Sequence, residues 1–173
     1  MIHYVCKYTP VELFRGFGEE CAVLEEMPEN FEQSDQIAHA NLCGFGKSVI
    51  QAVLEGKADQ LVLVNCCDSM RRVYDIVEST GKCKFLYMLD MPHEDNDCEK
   101  VKLAQGIHRL KKAYEKFSGK TFDRSGFLNA FSHEPVDNQP YIGVLGVRVS
   151  GILEKMIRDN TVSYTHLRAH ETD

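Results

Sequence analysis

Apolar residues recur along this chain in two rhythms, short continuous runs and stripes at three- and four-residue spacing, and their alternation predicts strands interleaved with helices. Ile2 to Cys6 is the first short run. Thr9 and Pro10 then supply a cap and a first-turn proline for a helix through Leu13, Phe14 and Phe17 that stops at Gly18. Cys21 to Glu26 reads as a second strand, and Pro28 to Ala40 as a polar, irregular stretch. A helix after Cys43 places Val49, Ile50, Val53 and Leu54 on one face and ends at Gly56. Leu61 to Val64 is the third strand. Met70, Val73, Tyr74 and Val77 mark the next helix, with Asp68 and Ser69 as its candidate N-caps. Lys84 to Leu89 is the fourth strand. The longest helix follows Pro92, where Leu103, Ile107, Leu110, Tyr114 and Phe117 form one stripe up to Gly119. A shorter helical piece runs from Arg124 to Phe131. This alternation predicts an α/β domain with a parallel sheet flanked by helices.

The pattern changes after residue 131. Ser132 to Pro140 has the composition of a linker, Tyr141 to Arg148 reads as a fresh strand, and Val149 to Asp159 as the helix after it. One βα unit cannot bury its own apolar face, so the chain is expected to be truncated. The expected organisation is an N-terminal α/β domain over 1–135, the linker and first βα unit of a truncated second α/β domain over 136–161, and a non-native tail over 162–173. That tail, from Val162 to Asp173, resembles the translation of a transposase-type sequencing adapter. It is excluded from fold reasoning, and with it the pair His166 and His170.

Composition narrows the function classes. At 173 residues, 43% hydrophobic and 27% charged, the chain can bury one good core. A net charge of −6 gives no electrostatic footprint for nucleic acid, and the lysines between Lys100 and Lys120 alternate with apolar residues as a solvated helix face does. No apolar stretch reaches the length of a membrane span, and the start lacks the pattern of a signal peptide, so a cytoplasmic protein is expected. Seven cysteines without such a signal argue for thiols rather than a disulfide framework.

The chemistry concentrates between residues 43 and 72. Cys43 opens one helix, and Cys67 stands where the third strand hands over to the next helix. In a parallel sheet, ligands collect at the carboxyl ends of the strands, where helix N-termini point unpaired N–H groups. A cysteine there tends towards the thiolate that binds metal, and Arg71 and Arg72 would add positive charge. Gly44-Phe-Gly-Lys-Ser48 is a false phosphate-loop match, because Asn41 stands where the first glycine is required. Gly143 to Gly146 is too little for a dinucleotide fingerprint. Cys66 is expected to be a buried thiol pointing away from Cys67. Cys21 and Cys83 read as small core residues. Asp90 and His93 close the fourth strand near the site, and no catalytic acid or base is assigned. Zinc is disfavoured, since Cys43 and Cys67 lack the paired short spacing of a structural zinc site.

Cys-x-Phe-x-Lys-Ser at Cys43 to Ser48, Glu55-Gly56-Lys57, Asn-x-Cys-Asp-Ser-Met-Arg-Arg at Asn65 to Arg72, and Leu-Asp-Met-Pro-His ending at His93 are specific in combination. Together with Tyr8 to Leu13 they resemble the iron–sulfur subunits of the 2-hydroxyacyl-CoA dehydratase family, which includes benzoyl-CoA reductase subunits and double-cubane cluster proteins. The resemblance spans residues 2 to 150. It implies flavodoxin-like domains and a 4Fe-4S cluster held by three cysteines with one iron open. Two ligands fall on Cys43 and Cys67, and the third is expected in the C-terminal part of the family, with Cys6 as a further candidate. It implies loss of water from a 2-hydroxyacyl-CoA thioester through a ketyl radical, because the thioester carbonyl does not acidify the β-proton. A CoA-thioester substrate, an ATP-dependent iron–sulfur activator and a homologous sister subunit are the implied partners. The fragment alone is expected to be inactive. The alternatives within the resemblance are a double-cubane-type reductase or electron-transfer protein, for which Cys6, Cys66 and Cys98 would be extra ligands, and a benzoyl-CoA reductase-like subunit.

Overall fold

The computed structural model describes residues 1–25 and 28–131, together with 155, 156 and 159. The chain divides into two compact units, Met1–Ser132 and His133–Asp173. Of the second, Lys155, Met156 and Asp159 are described, all helical and exposed. The expected strand over Tyr141 to Arg148, the glycines at 143 and 146 and the tail lie outside the described residues.

In the first unit β1 (Ile2–Tyr4), β2 (Cys21–Val23), β3 (Gln60–Val64) and β4 (Phe85–Leu89) form one parallel sheet in the order β2-β1-β3-β4. The order matches the start of the flavodoxin-like arrangement, so the expected fold class holds. β1 pairs with β2 through Ile2 and Cys21, and with β3 through His3 and Leu61; β3 pairs with β4 from Gln60 and Phe85 to Val64 and Leu89. β3 is central, and Leu61 to Val64 are all fully buried, which explains its unbroken apolar run.

Alternation along the strands supplies two cores. Leu61 and Leu63 face one side of the sheet and meet Val49, Ile50 and Val53 of α3 (Gly44–Leu54) and Met70, Val73 and Val77 of α4 (Asp68–Thr80). Ile2, Val62 and Phe85 face the other and meet Leu13 and Phe14 of α1 (Val11–Arg15) and Leu110 and Tyr114 of α5 (Asp97–Ser118). Gly119 ends α5 in the left-handed conformation, as its position predicts. α6 (Arg124–Asn129) is capped by Asp123, whose carboxylate accepts the N–H groups of Ser125 and Gly126 at 2.9 Å.

Several expectations need correction. The stretch from Pro28 to Ala40 contains a helix, α2 (Glu32–Ile37). Its sequence has one apolar residue and no cap, so periodicity could not show it. The first helix stops at Arg15, short of Phe17, which still joins the core from the turn that follows. Cys67, rather than Asp68 or Ser69, is the N-cap of α4. Phe117, expected on the buried stripe of α5, is 41% exposed.

Candidate functional site

The strand order reverses between β1 and β3, and the crevice outside their carboxyl ends is where an open α/β sheet takes its ligands. Cys6 follows β1 there, and Asn65, Cys66 and Cys67 follow β3. Cys67 is exposed, has extended backbone (φ −159°, ψ 164°), and its side chain makes no capping bond to α4. Cys43 is the N-cap of α3, also exposed, and its Sγ accepts the Gly46 N–H at 3.3 Å. Each candidate ligand therefore stands at the N-terminal end of a helix.

Close packing brings these helix ends together. A Cβ on Gly46 would meet Val73 Cγ2 of α4 at 3.1 Å and Leu42 Cγ at 3.2 Å, so only glycine lets the first turn of α3 lie this near α4. A groove of about 400 Å³ follows, walled by His39, Asn41 and Leu42 on one side and by Asp68, Ser69, Arg72 and Ile76 on the other. Its walls include the residue before Cys43 and the residue after Cys67.

A second cleft, of about 740 Å³, lies at the ends of β3 and β4. Asn65 organises it. This side chain is only 7% exposed; its Nδ2 donates to Asp90 Oδ1 at 2.8 Å while its Oδ1 accepts the Met91 N–H at 2.7 Å. One amide thus staples the ends of two strands and orients the Asp90 carboxylate. Arg71, Tyr74, Tyr87 and Met88 contribute further walls. Arg72 makes an exposed pair with Asp75 at 3.5 Å, whereas Arg71 has no ion-pair partner among the described residues. Burial, then the hydrogen bond to Glu78, holds the Tyr74 phenol above its usual range.

Cys66 differs from expectation: it is exposed, because β3 ends at Val64 and strand alternation no longer governs its direction. Local desolvation pushes its thiol up to about 11, and Cys67 and Cys6 nearby add to the rise. Cys6 is half-buried, and Cys98, in the first turn of α5, is exposed. Among the described residues, no three His, Cys, Asp or Glu side chains converge closely enough to hold a metal ion. Cys43 and Cys67, soft donors accessible from solvent on neighbouring helix ends, fit part of a cluster's ligand set, fewer than the usual number of about four.

Other candidates resolve plainly. Gly44 to Ser48 lies inside α3, not in a loop after a strand, and Lys47 Nζ binds Asp35 at 2.7 Å, so the phosphate-loop match is false. Cys21 and Cys83 are half-buried, bonded to the carbonyls of Val11 and Ala58, and burial pushes both thiols up to about 11. They are packing residues. His93 is exposed. In the sequence Asn65 stands in a motif that gives it no role of its own; a lone amide between an apolar strand and a cysteine is the available signal.

The family model HGD-D, described as 2-hydroxyglutaryl-CoA dehydratase, D-component, matches residues 6–134, well over half of the chain. No curated protein matches. Among the described residues no helix is long and apolar enough to cross a membrane.

Proposed function

From the premise that this chain belongs to the 2-hydroxyglutaryl-CoA dehydratase D-component family, we propose that it is the iron–sulfur component of a 2-hydroxyacyl-CoA dehydratase. The observation that carries the reading is the pair of exposed cysteines, Cys43 and Cys67, each at the N-cap position of one of two helices packed side by side. These two would hold a 4Fe-4S cluster together with a ligand from outside the described residues. When bound, the cluster supplies one-electron chemistry, which lets a thioester expel a hydroxyl that acid–base elimination cannot remove.

The chain's own groups prepare the surroundings. The Gly46 N–H donates to Cys43 Sγ, a contact that would stabilise charge on a metal-bound thiolate. Arg71, in the cleft at the ends of β3 and β4, is a cation placed for an anionic part of the CoA thioester. Asp90, held by Asn65, offers a fixed acceptor in the same cleft. An ATP-dependent iron–sulfur activator and a homologous sister subunit complete the system.

The exposure of Cys66 close to Cys67 and Cys6 favours a second reading, a double-cubane-type reductase or electron-transfer protein with a larger cluster. A benzoyl-CoA reductase-like subunit would use the same two ligands. Iron and acid-labile sulfide per chain, measured after anaerobic purification for the native chain, Cys43→Ser and Cys67→Ser, test the proposal. Iron near the cluster's stoichiometry that falls in both variants supports it. Iron unchanged in both variants of a folded chain removes these ligands from the site. Loss of iron in Cys66→Ser as well would select the larger cluster.

A further inference from the structure

We propose that Gln51 is a positioning residue for Cys43, acting through α2, which it fastens to α3. The inference rests on the cluster reading for its functional meaning but on separate contacts for its mechanics. Gln51 is 1% exposed, among the most deeply buried polar side chains of the chain. Its Oε1 accepts the backbone N–H of Ser34 at 2.8 Å, and its Nε2 donates to the Glu55 carboxylate at 2.8 Å.

The partner at Ser34 is the informative one. Ser34 is the third residue of α2, so its N–H has no acceptor within the helix. Phe31, the N-cap, contributes no side-chain bond. Gln51, from a different helix, therefore does the work of a missing cap. A helix of six residues cannot stand alone in water. Beside local bonds from the Glu32 N–H to Asn30 Oδ1 and from Ser34 Oγ to the Phe31 carbonyl, α2 is tied to α3 by Lys47 and the exposed Asp35 at 2.7 Å, a pair whose contribution is small. The buried amide is the stronger fastening, because without it the Ser34 N–H would be left buried and unsatisfied.

The consequence for the site is geometric. α2 ends at Ile37, and residues 38–42 alone separate it from Cys43. His39, Asn41 and Leu42 within that span wall the groove opposite the start of α4, and Leu42 packs against Gly46. The approach of the chain to Cys43 is thus held at one end by α3 itself and at the other by α2. Gln51, eight residues after Cys43 on α3, couples the two.

The test compares the full native chain with Gln51→Met, which keeps the volume and removes both bonds, and with the exchange Gln51→Glu plus Glu55→Gln, which returns a carboxylate acceptor to Ser34 and an amide donor between the two helix positions. Amide hydrogen exchange is read for residues 31–46 and for β3 and α4, and iron per chain is read after anaerobic reconstitution. In Gln51→Met, exchange over 31–46 should accelerate by about tenfold, the scale of one lost buried hydrogen bond. β3 and α4 should be unchanged, iron should fall, and the exchange variant should restore both signals. Unaltered exchange over 31–46, or full iron retention despite faster exchange, overturns the proposal. If the native chain binds no iron, this chain's two cysteines do not hold a cluster by themselves, while the exchange data still decide whether Gln51 holds the segment before Cys43. If Gln51→Met accelerates exchange everywhere, Gln51→Asn, which keeps the amide with a shorter reach, is the variant to read by the same criteria.

Discussion

Asn65 shows how much one side chain does at the residue scale. It lies between the last apolar residue of β3 and two cysteines, and its amide serves Asp90 and Met91 at once. Asn65→Leu keeps the branched outline and leaves the Met91 N–H without its acceptor, so it should cost about 1–3 kcal/mol in urea unfolding. A midpoint equal to that of the native chain would show that the staple contributes nothing. The cysteines divide by the same logic. With thiols near 11, Cys21 and Cys83 should carry roughly two hundred times less thiolate at about pH 8 than an ordinary cysteine. Half-buried as well as poorly ionised, they should be labelled in mass-spectrometric alkylation after the exposed Cys43, Cys66, Cys67 and Cys98, and earlier labelling of either would refute their assignment to packing. Their role was legible from adjoining apolar runs. That of Cys66 was not, because alternation was carried two residues past the end of the strand.

At the scale of the element, what could be read depended on whether the element is specified locally. α3, α4 and α5 carry their own apolar stripes, and α3 and α5 their own caps, so their positions followed from periodicity. α2 carries neither, and the hydrogen bond that the Ser34 N–H donates to Gln51 Oε1 replaces them, which no local pattern can reveal. The two glycines that open α3 give a contrast of sign. Nothing lies within 4 Å of a Cβ on Gly44, so Gly44→Ala gains helix propensity without a clash and should leave stability unchanged or raise it by up to about 1 kcal/mol. At Gly46 the new methyl group would press on Val73 and Leu42, and overpacking of this kind costs about 1–3 kcal/mol, more than the propensity returns. Gly46→Ala should therefore lower Tm and, by separating α3 from α4, reduce iron binding. Equal Tm in the two variants would mean that the helix ends are not held together by this contact.

Over the whole first unit, the parallel α/β class was legible because strand and helix signals alternate, whereas the order β2-β1-β3-β4 was not, since parallel connections permit several orders. The outer strands show why long-range contacts decide it. The start of β1, the residues before β2 and the end of α5 are drawn together by Glu19, whose carboxylate binds Lys120 Nζ at 2.6 Å and the N-terminal amine at 3.7 Å. Tyr114 of α5 stands beneath this junction, edge-on to Phe14, Phe17 and Phe85 at 5.0–5.2 Å. Burial opposes ionisation of Glu19, yet the bond from Lys120, with the Tyr114 hydroxyl nearby, outweighs it and holds the carboxyl below its usual value. A depressed folded value means that the stabilisation is complete above the unfolded value, about 4.3, and is lost as pH falls through the folded one. The native chain should therefore lose Tm more steeply than Glu19→Gln as pH is lowered from about 6 to about 3. Because Asp59 and Glu55 also lie below their usual values and titrate in both proteins, the difference between the two curves isolates Glu19. Parallel curves would show that the Glu19 carboxylate contributes nothing to holding the outer strand and the last turn of α5 in place.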